Sequence, residues 1–183
     1  MGNVCNIFLD MDYTLAKFPA EHGELGTKRY KTQSGFFAKL KPYKNIELVN
    51  QALKKNKNTF ILSNSPNEIA DKDKKTWIKQ YLPNMPLKRC IFNRGGLTAE
   101  KTKAEIAESK LNRKLLCSDI LIDDSVTNCE EWVKAGGTAI LKSNKKKTNN
   151  CKYSEVTRLA QIGRIIEYVA SEYFSNTVIN FPV

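Results

Sequence analysis

Val4-Cys5-Asn6-Ile7-Phe8-Leu9 is a short, nearly unbroken apolar run that ends abruptly in Asp10-Met11-Asp12-Tyr13-Thr14. Such a run, bounded by polar residues, reads as a strand buried on both faces. Two carboxylates two positions apart beyond it face one crevice if the chain turns there; in an exposed loop they would be solvated anions. Four further runs have the same character: Thr59 to Leu62, Arg89 to Phe92, Asp119 to Ile122 and Thr138 to Leu141.

Helix candidates lie between these strands. Thr102 with Glu105 and Thr127 with Glu130 have capping-box spacing, and Gly136-Gly137 is a natural stop after Trp132 and Val133. Over residues 67–82, Trp77, Ile78, Tyr81 and Leu82 form one apolar stripe; Leu159, Ile162, Ile166, Val169 and Tyr173 form another near the end of the chain. Strands alternating with helices predict an α/β fold, a doubly wound parallel sheet with right-handed crossovers. Residues 17 to about 44 interrupt the alternation with Pro19, Gly23, Gly26, Gly35 and Pro42, which suggests a small cap leaving from the end of the first strand. At 183 residues, the chain is expected to form a single domain, 1–183, with that insertion.

Composition sets the outer limits. No run of 18 apolar residues occurs, so no membrane partner is expected and the location is expected to be cytoplasmic. Cys5, Cys90, Cys117, Cys129 and Cys151 are odd in number and widely spaced, and His22 is the single histidine, which favours free thiols over a metal site. The net charge of +11 suits an anionic partner, from a phosphorylated metabolite to nucleic acid. Lys145-Lys146-Lys147 reads as a solvated loop.

Three features join Asp10 and Asp12 at the carboxyl ends of the expected strands. Ser63 ends the second run, Lys101 and Lys103 open a helix, and Asp123-Asp124 ends the fourth. Together they suit attack on a phosphate monoester. An anionic nucleophile at Asp10 reaches a phosphate dianion only if Mg²⁺ and a lysine neutralise the phosphoryl oxygens. Asp10 with Asp123 or Asp124 offers the hard oxygen ligands that Mg²⁺ prefers. Asp12 is placed to protonate the leaving alkoxide and then to activate water, and Ser63 to hydrogen-bond a phosphoryl oxygen.

This constellation resembles the haloacid dehalogenase superfamily, whose four motifs are matched by Asp10/Asp12/Thr14, Ser63, Lys103 or Lys101, and Asp123/Asp124. The strings FLDMDYTLAKF, SGFFAKL, FILSNSP and DILIDDSVTNCEEW followed by AGGTAIL look, more narrowly, like the 5'(3')-deoxyribonucleotidase branch. The resemblance implies a Rossmannoid sheet with a small, mainly helical cap after the first strand. It also implies a Mg²⁺-dependent phosphatase acting through an aspartyl-phosphate on nucleoside monophosphates, and it leaves a homodimer open. It assigns catalysis to Asp10, Asp12, Ser63 and Lys103, and the metal to Asp10, Asp12, Asp123 and Asp124. Substrate contacts fall to Phe18, Thr14, Asn64 and Ser65, with Phe18 where an aromatic of the cap stacks on the base. Lys103 is preferred to Lys101 because it begins KAEIAESKL directly after Thr102.

Two departures stand out. Tyr13 replaces the glycine usual after the second aspartate, and the second motif reads Ser63-Asn64-Ser65, leaving open which hydroxyl meets the phosphate. Ser63 is favoured because it directly follows the apolar run. Other readings are a phosphatase for another small ester or a polynucleotide 3' end, and a non-catalytic anion-binding protein. Nucleic acid ranks behind a small phosphorylated substrate.

Overall fold

A computed structural model describes residues 4–18, 33–94, 100–143 and 154–172. Its centre is a parallel sheet of β1 (Asn6–Leu9), β4 (Thr59–Ser65), β5 (Cys90–Arg94), β6 (Asp119–Asp123), β7 (Thr138–Lys142) and β8 (Ser154–Val156). Their order across the sheet is β5-β4-β1-β6-β7-β8. The chain winds outward from β1 through β4 to β5, then crosses back to β6 and winds the other way. β1 is therefore the switch point, and the crevice at its carboxyl end is where doubly wound sheets bind ligands.

Alternation along each strand sorts the core into two layers. Ile7 and Leu9 face one side with Ile61, Ile120 and Ile122; there they meet α1 (Ile46–Lys55), α2 (Glu68–Tyr81) and α5 (Leu159–Glu172). Phe8, Leu62 and Leu121 face the other side, against Ala104 and Ala107 of α3 (Lys103–Leu111) and Trp132 of α4 (Val126–Lys134). Both predicted stripes point inward: Trp77, Ile78 and Leu82 are buried, as are Leu159, Ile162, Ile166 and Val169, while Tyr173 lies outside the described residues. No described helix is long and apolar enough to cross a membrane.

The doubly wound α/β class is borne out, with local corrections. The strand expected at Arg89 begins at Cys90, because Leu87–Arg89 forms a short 3-10 turn. β8 was not anticipated; its three residues, Ser-Glu-Val, are too few and too polar to stand out. The capping box at Thr102 and Glu105 forms as expected, with Thr102 N–H donating to Glu105 Oε2 at 2.7 Å. The one expected at Thr127 and Glu130 does not: Ser125 caps α4, accepting from Asn128 N–H, and Thr127 lies within the helix. Asp123 accepts from the Ser125 N–H at 2.9 Å, so the chain turns into the helix directly after the strand.

The insertion after β1 is held at its base by β2 (Ala16–Lys17) paired antiparallel with β3 (Lys41–Pro42). Phe37 and Leu40 are buried in the main core, and the Leu40 carbonyl accepts from Trp77 Nε1–H at 2.7 Å. Residues 19–32, on which the expectation of a mainly helical cap chiefly falls, lie outside the described residues, as do Cys151 and the Lys145 to Lys147 run. Among the described residues, Cys5, Cys90, Cys117 and Cys129 form no disulfide with one another.

Gly136 and Gly137 end α4 as expected. Gly136 takes a φ of +99°, and Gly137 lies flat against Trp132, whose Nε1–H donates to the Asp119 carbonyl at 3.0 Å. A Cβ at 137 would overlap the indole and crowd that carbonyl. Gly137→Ala should therefore destabilise the fold by about 1–3 kcal/mol, the usual cost of overpacking a filled core, measured by urea unfolding. An unchanged midpoint would show that Trp132 is free to move.

Candidate active site

The segment after β1 turns sharply. Asp10 N–H donates to the Ile122 carbonyl at 2.9 Å, which extends the β1–β6 pairing by one residue, and the Leu15 and Ala16 N–H groups both return to the Met11 carbonyl. Tyr13 takes a φ of 59°, the left-handed region. A non-glycine residue there costs roughly 1–2 kcal/mol, which accounts physically for the glycine expected at this position. The tyrosine ring stacks on Phe18 at 4.5 Å between centroids and 18° between planes.

Lys103 opens α3, is 3% exposed, and lies between two strand ends. Its Nζ donates to Asp10 Oδ1 at 2.5 Å and to Asp123 Oδ2 at 2.6 Å. Lys101 is exposed, and its carbonyl accepts from Asn93 Nδ2, so of the two candidate lysines it is Lys103 that reaches the aspartates. Asp123 is held further by Asn128 Nδ2, at 3.1 and 3.0 Å from its two oxygens. Thr14 Oγ1 donates to Asp124 Oδ1 at 3.4 Å.

Carboxylate oxygens of Asp10, Asp123 and Asp124 lie within 4.8 Å of one another. Asp12, which the sequence also grouped with the metal ligands, stands outside that cluster, and its Oδ2 accepts from Lys74 Nζ at 2.7 Å. Lys74 also donates to Ser63 Oγ at 2.9 Å and to the Asn64 carbonyl at 2.6 Å. Ser65 is turned elsewhere, its Oγ donating to the Asn67 carbonyl at 3.3 Å. The Asn64 side chain accepts from Asn93 Nδ2 at 3.1 Å. Phe18 completes an aromatic group with Phe36 and Phe37, its edge contacts at 5.6 and 6.0 Å.

Lys74 is the functional candidate that the motifs missed. One signal was present: Ala70, Lys74, Trp77 and Ile78 share one helical face, so a lysine sits in the middle of an otherwise apolar stripe. Asn93 and Asn128, which hold Asn64 and Asp123, carried no such mark.

The site is short of positive charge. Burial pushes the Asp10 carboxyl up to about 7; Lys103 opposes that rise, while Asp123 and Asp12 add to it. Asp124 is pushed up to about 8 by burial and then by Asp10 and Asp123. Burial works against the Lys103 charge, but Asp10 and Asp123 outweigh it and hold the ammonium above the ordinary lysine value. Four carboxylates, Asp10, Asp12, Asp123 and Asp124, gather where Lys103 and Lys74 pair with three of them and the buried Lys142 acts on Asp124, an excess of negative charge that suits a cation. All-oxygen donors of this kind fit Mg²⁺ or another hard cation.

No protein-family model and no curated protein sequence matches the chain. Solved structures do match. A haloacid dehalogenase-superfamily hydrolase from Ehrlichia chaffeensis superposes with a TM-score of 0.60 at 14% identity, covering 92% of this chain and 98% of its own. CbbY from Rhodobacter sphaeroides, solved in complex with phosphate, gives 0.58 at 12%, with 88% and 97% covered. A family IA haloacid dehalogenase hydrolase from Entamoeba histolytica gives 0.58 at 12%, with 91% and 99% covered. The fold is thus that of the haloacid dehalogenase-like hydrolases.

Protons held by Asp10 and Asp124 must leave when a cation binds, so Mg²⁺ affinity should weaken as pH falls from about 8 to about 6. The same two groups bind protons in the native state that the unfolded chain has lost. Their contribution to the stability of metal-free protein therefore declines as pH rises from the ordinary carboxylate value of 3.8 and is lost by about 7 to 8. Calorimetric titration of Mg²⁺ near neutral pH, in buffers of different ionisation enthalpy, should show proton release. A heat independent of the buffer would contradict the charge balance.

Proposed function

We propose that the protein is a Mg²⁺-dependent phosphomonoesterase that works through an aspartyl-phosphate at Asp10, with nucleoside monophosphates as its substrates. The observation that carries this reading is the Lys103 ammonium shared by Asp10 and Asp123 beside Asp124, at the switch point of a sheet of this class. Asp10, Asp123 and Asp124 would hold the cation. When bound, it supplies Lewis-acid neutralisation of the phosphoryl oxygens.

The residues divide the remaining work. Asp10 forms a bond to phosphorus as the bond to the leaving oxygen breaks, and Asp12 gives that oxygen its proton. Water then attacks the same phosphorus, loses a proton to the Asp12 carboxylate, and frees Asp10 and inorganic phosphate. Lys103 holds Asp10 in place and offsets charge at the phosphate, and Ser63 donates to a phosphoryl oxygen. Thr14 steadies Asp124, and Asn64 and Ser65 shape the loop beside the phosphate.

The nucleotide preference rests on the motif resemblance and on the aromatic group of Tyr13, Phe18 and Phe36 beside the acidic turn. A stacked base gains roughly 1–3 kcal/mol on such a surface.

Asp10→Asn should abolish turnover of every phosphate ester while leaving the melting curve of a folded protein, because the amide cannot form the acyl-phosphate. A residual rate above about a tenth of wild type would remove Asp10 as nucleophile, since that loss is worth only about 1.4 kcal/mol. A panel of nucleoside 5'- and 3'-monophosphates alongside small esters without a base tests the substrate. Phe18→Ala should raise KM for the best nucleotide about tenfold and change little for a small ester. Equal losses on both would give Phe18 a packing role only.

A further inference from the structure

Lys74 belongs to α2, a helix that carries none of the motif residues, and its side chain has no accessible surface. An ammonium has three N–H bonds, and each has an acceptor here: Asp12 Oδ2, Ser63 Oγ and the Asn64 carbonyl. The Phe37 ring lies 4.6 Å from the nitrogen. A lysine held this way has one orientation, and so do the groups it holds.

Two consequences follow at the acceptors. Ser63 Oγ receives a hydrogen from Lys74, so its own O–H points away from the ammonium and is available to another acceptor. Asp12 Oδ2 is occupied by Lys74, whereas Oδ1 is buried and has no hydrogen-bond partner among the described residues. A buried polar atom without a protein partner is uncommon, and a catalytic role is one of the recognised reasons for it. A structural side chain at this point of the stripe would need no acceptors; leucine or methionine would fill similar volume without a buried charge.

We propose that Lys74 is a positioning residue: by pinning Asp12 Oδ2 and Ser63 Oγ, it leaves Asp12 Oδ1 as the oxygen that exchanges the proton, and turns the Ser63 hydroxyl toward the phosphate. The proposal rests on the phosphatase reading. In the first step a proton passes from Asp12 Oδ1 to the leaving oxygen as the Asp10–phosphorus bond forms and the bond from phosphorus to that oxygen breaks. In the second a proton passes from the attacking water to Asp12 Oδ1 as the water–phosphorus bond forms and the Asp10–phosphorus bond breaks.

The test is Lys74→Met, with Lys74→Gln as a second variant in case the first does not fold; circular dichroism and a melting curve select those that do. With Mg²⁺ present, kcat/KM is measured for 4-nitrophenyl phosphate, whose leaving group needs no proton, and for the best alkyl phosphate. Because kcat/KM reports events up to departure of the leaving group, loss of an aligned acid should lower it about 100-fold for the alkyl ester but under about tenfold for the aryl ester. The variant should also release nitrophenol in a burst that wild type lacks, because hydrolysis of the aspartyl-phosphate now lags. Equal loss on the two esters without a burst would make Lys74 a structural cation and overturn the proposal, with the phosphatase reading intact. Failure of both variants to fold would overturn it in the same way. Wild type active on the aryl ester alone would remove the acid role that Lys74 serves, and wild type inactive on both would overturn the phosphatase reading and this proposal together.

Discussion

A buried ammonium between two buried carboxylates organises this molecule. Lys103 comes from the first residue of α3, Asp10 from the end of β1 and Asp123 from the end of β6, and the ammonium at that depth needs at least one of the two carboxylates as a partner. An unpaired charge at such depth would neutralise itself or unfold its surroundings. The pairing therefore fixes how deeply the α3 N-terminus sits against the sheet. That depth is met by the capping box of Thr102 and Glu105, which frees Lys103 to point inward while the first turn stays satisfied.

The same constraint explains the geometry around the crevice. β1 lies between β4 and β6 because the chain reverses direction there, so the ends of these three strands bring Asp10, Ser63 and Asp123 to one rim. Two ammonium groups divide the rim. Lys103 holds Asp10 and Asp123, and Lys74 holds Asp12 and Ser63. With Asp124 added, carboxylates outnumber the lysines, and burial together with their mutual repulsion raises Asp10 and Asp124.

Much of this was legible in the sequence because each strand is a nearly continuous apolar run that ends at a chemically distinctive residue. Asp10, Ser63 and Asp123 announce themselves by following such runs, and Lys103 by following a capping threonine. What stayed hidden depended on contacts distant in sequence. Lys74 reads as one lysine among several in Asp71-Lys72-Asp73-Lys74-Lys75, and only its place on the stripe with Ala70, Trp77 and Ile78 sets it apart. Ser125 displaced Thr127 as the cap of α4 because Asp123 accepts from the Ser125 N–H, a local bond that spacing rules do not encode. β8 pairs with β7 through three residues whose strand character comes from their neighbour and not from their own side chains.

The proposed function turns on covalent chemistry at Asp10, and trapping the phosphorylated enzyme reads that directly. Wild-type protein is mixed with Mg²⁺ and a hydrolysable phosphate ester, quenched in acid within one turnover, digested, and its peptides weighed. The peptide containing Asp10 should carry one added phosphoryl group, lost on treatment with hydroxylamine, which cleaves acyl-phosphates. Turnover without any phosphorylated Asp10 peptide, or a phosphoryl group found on another residue, would contradict the account.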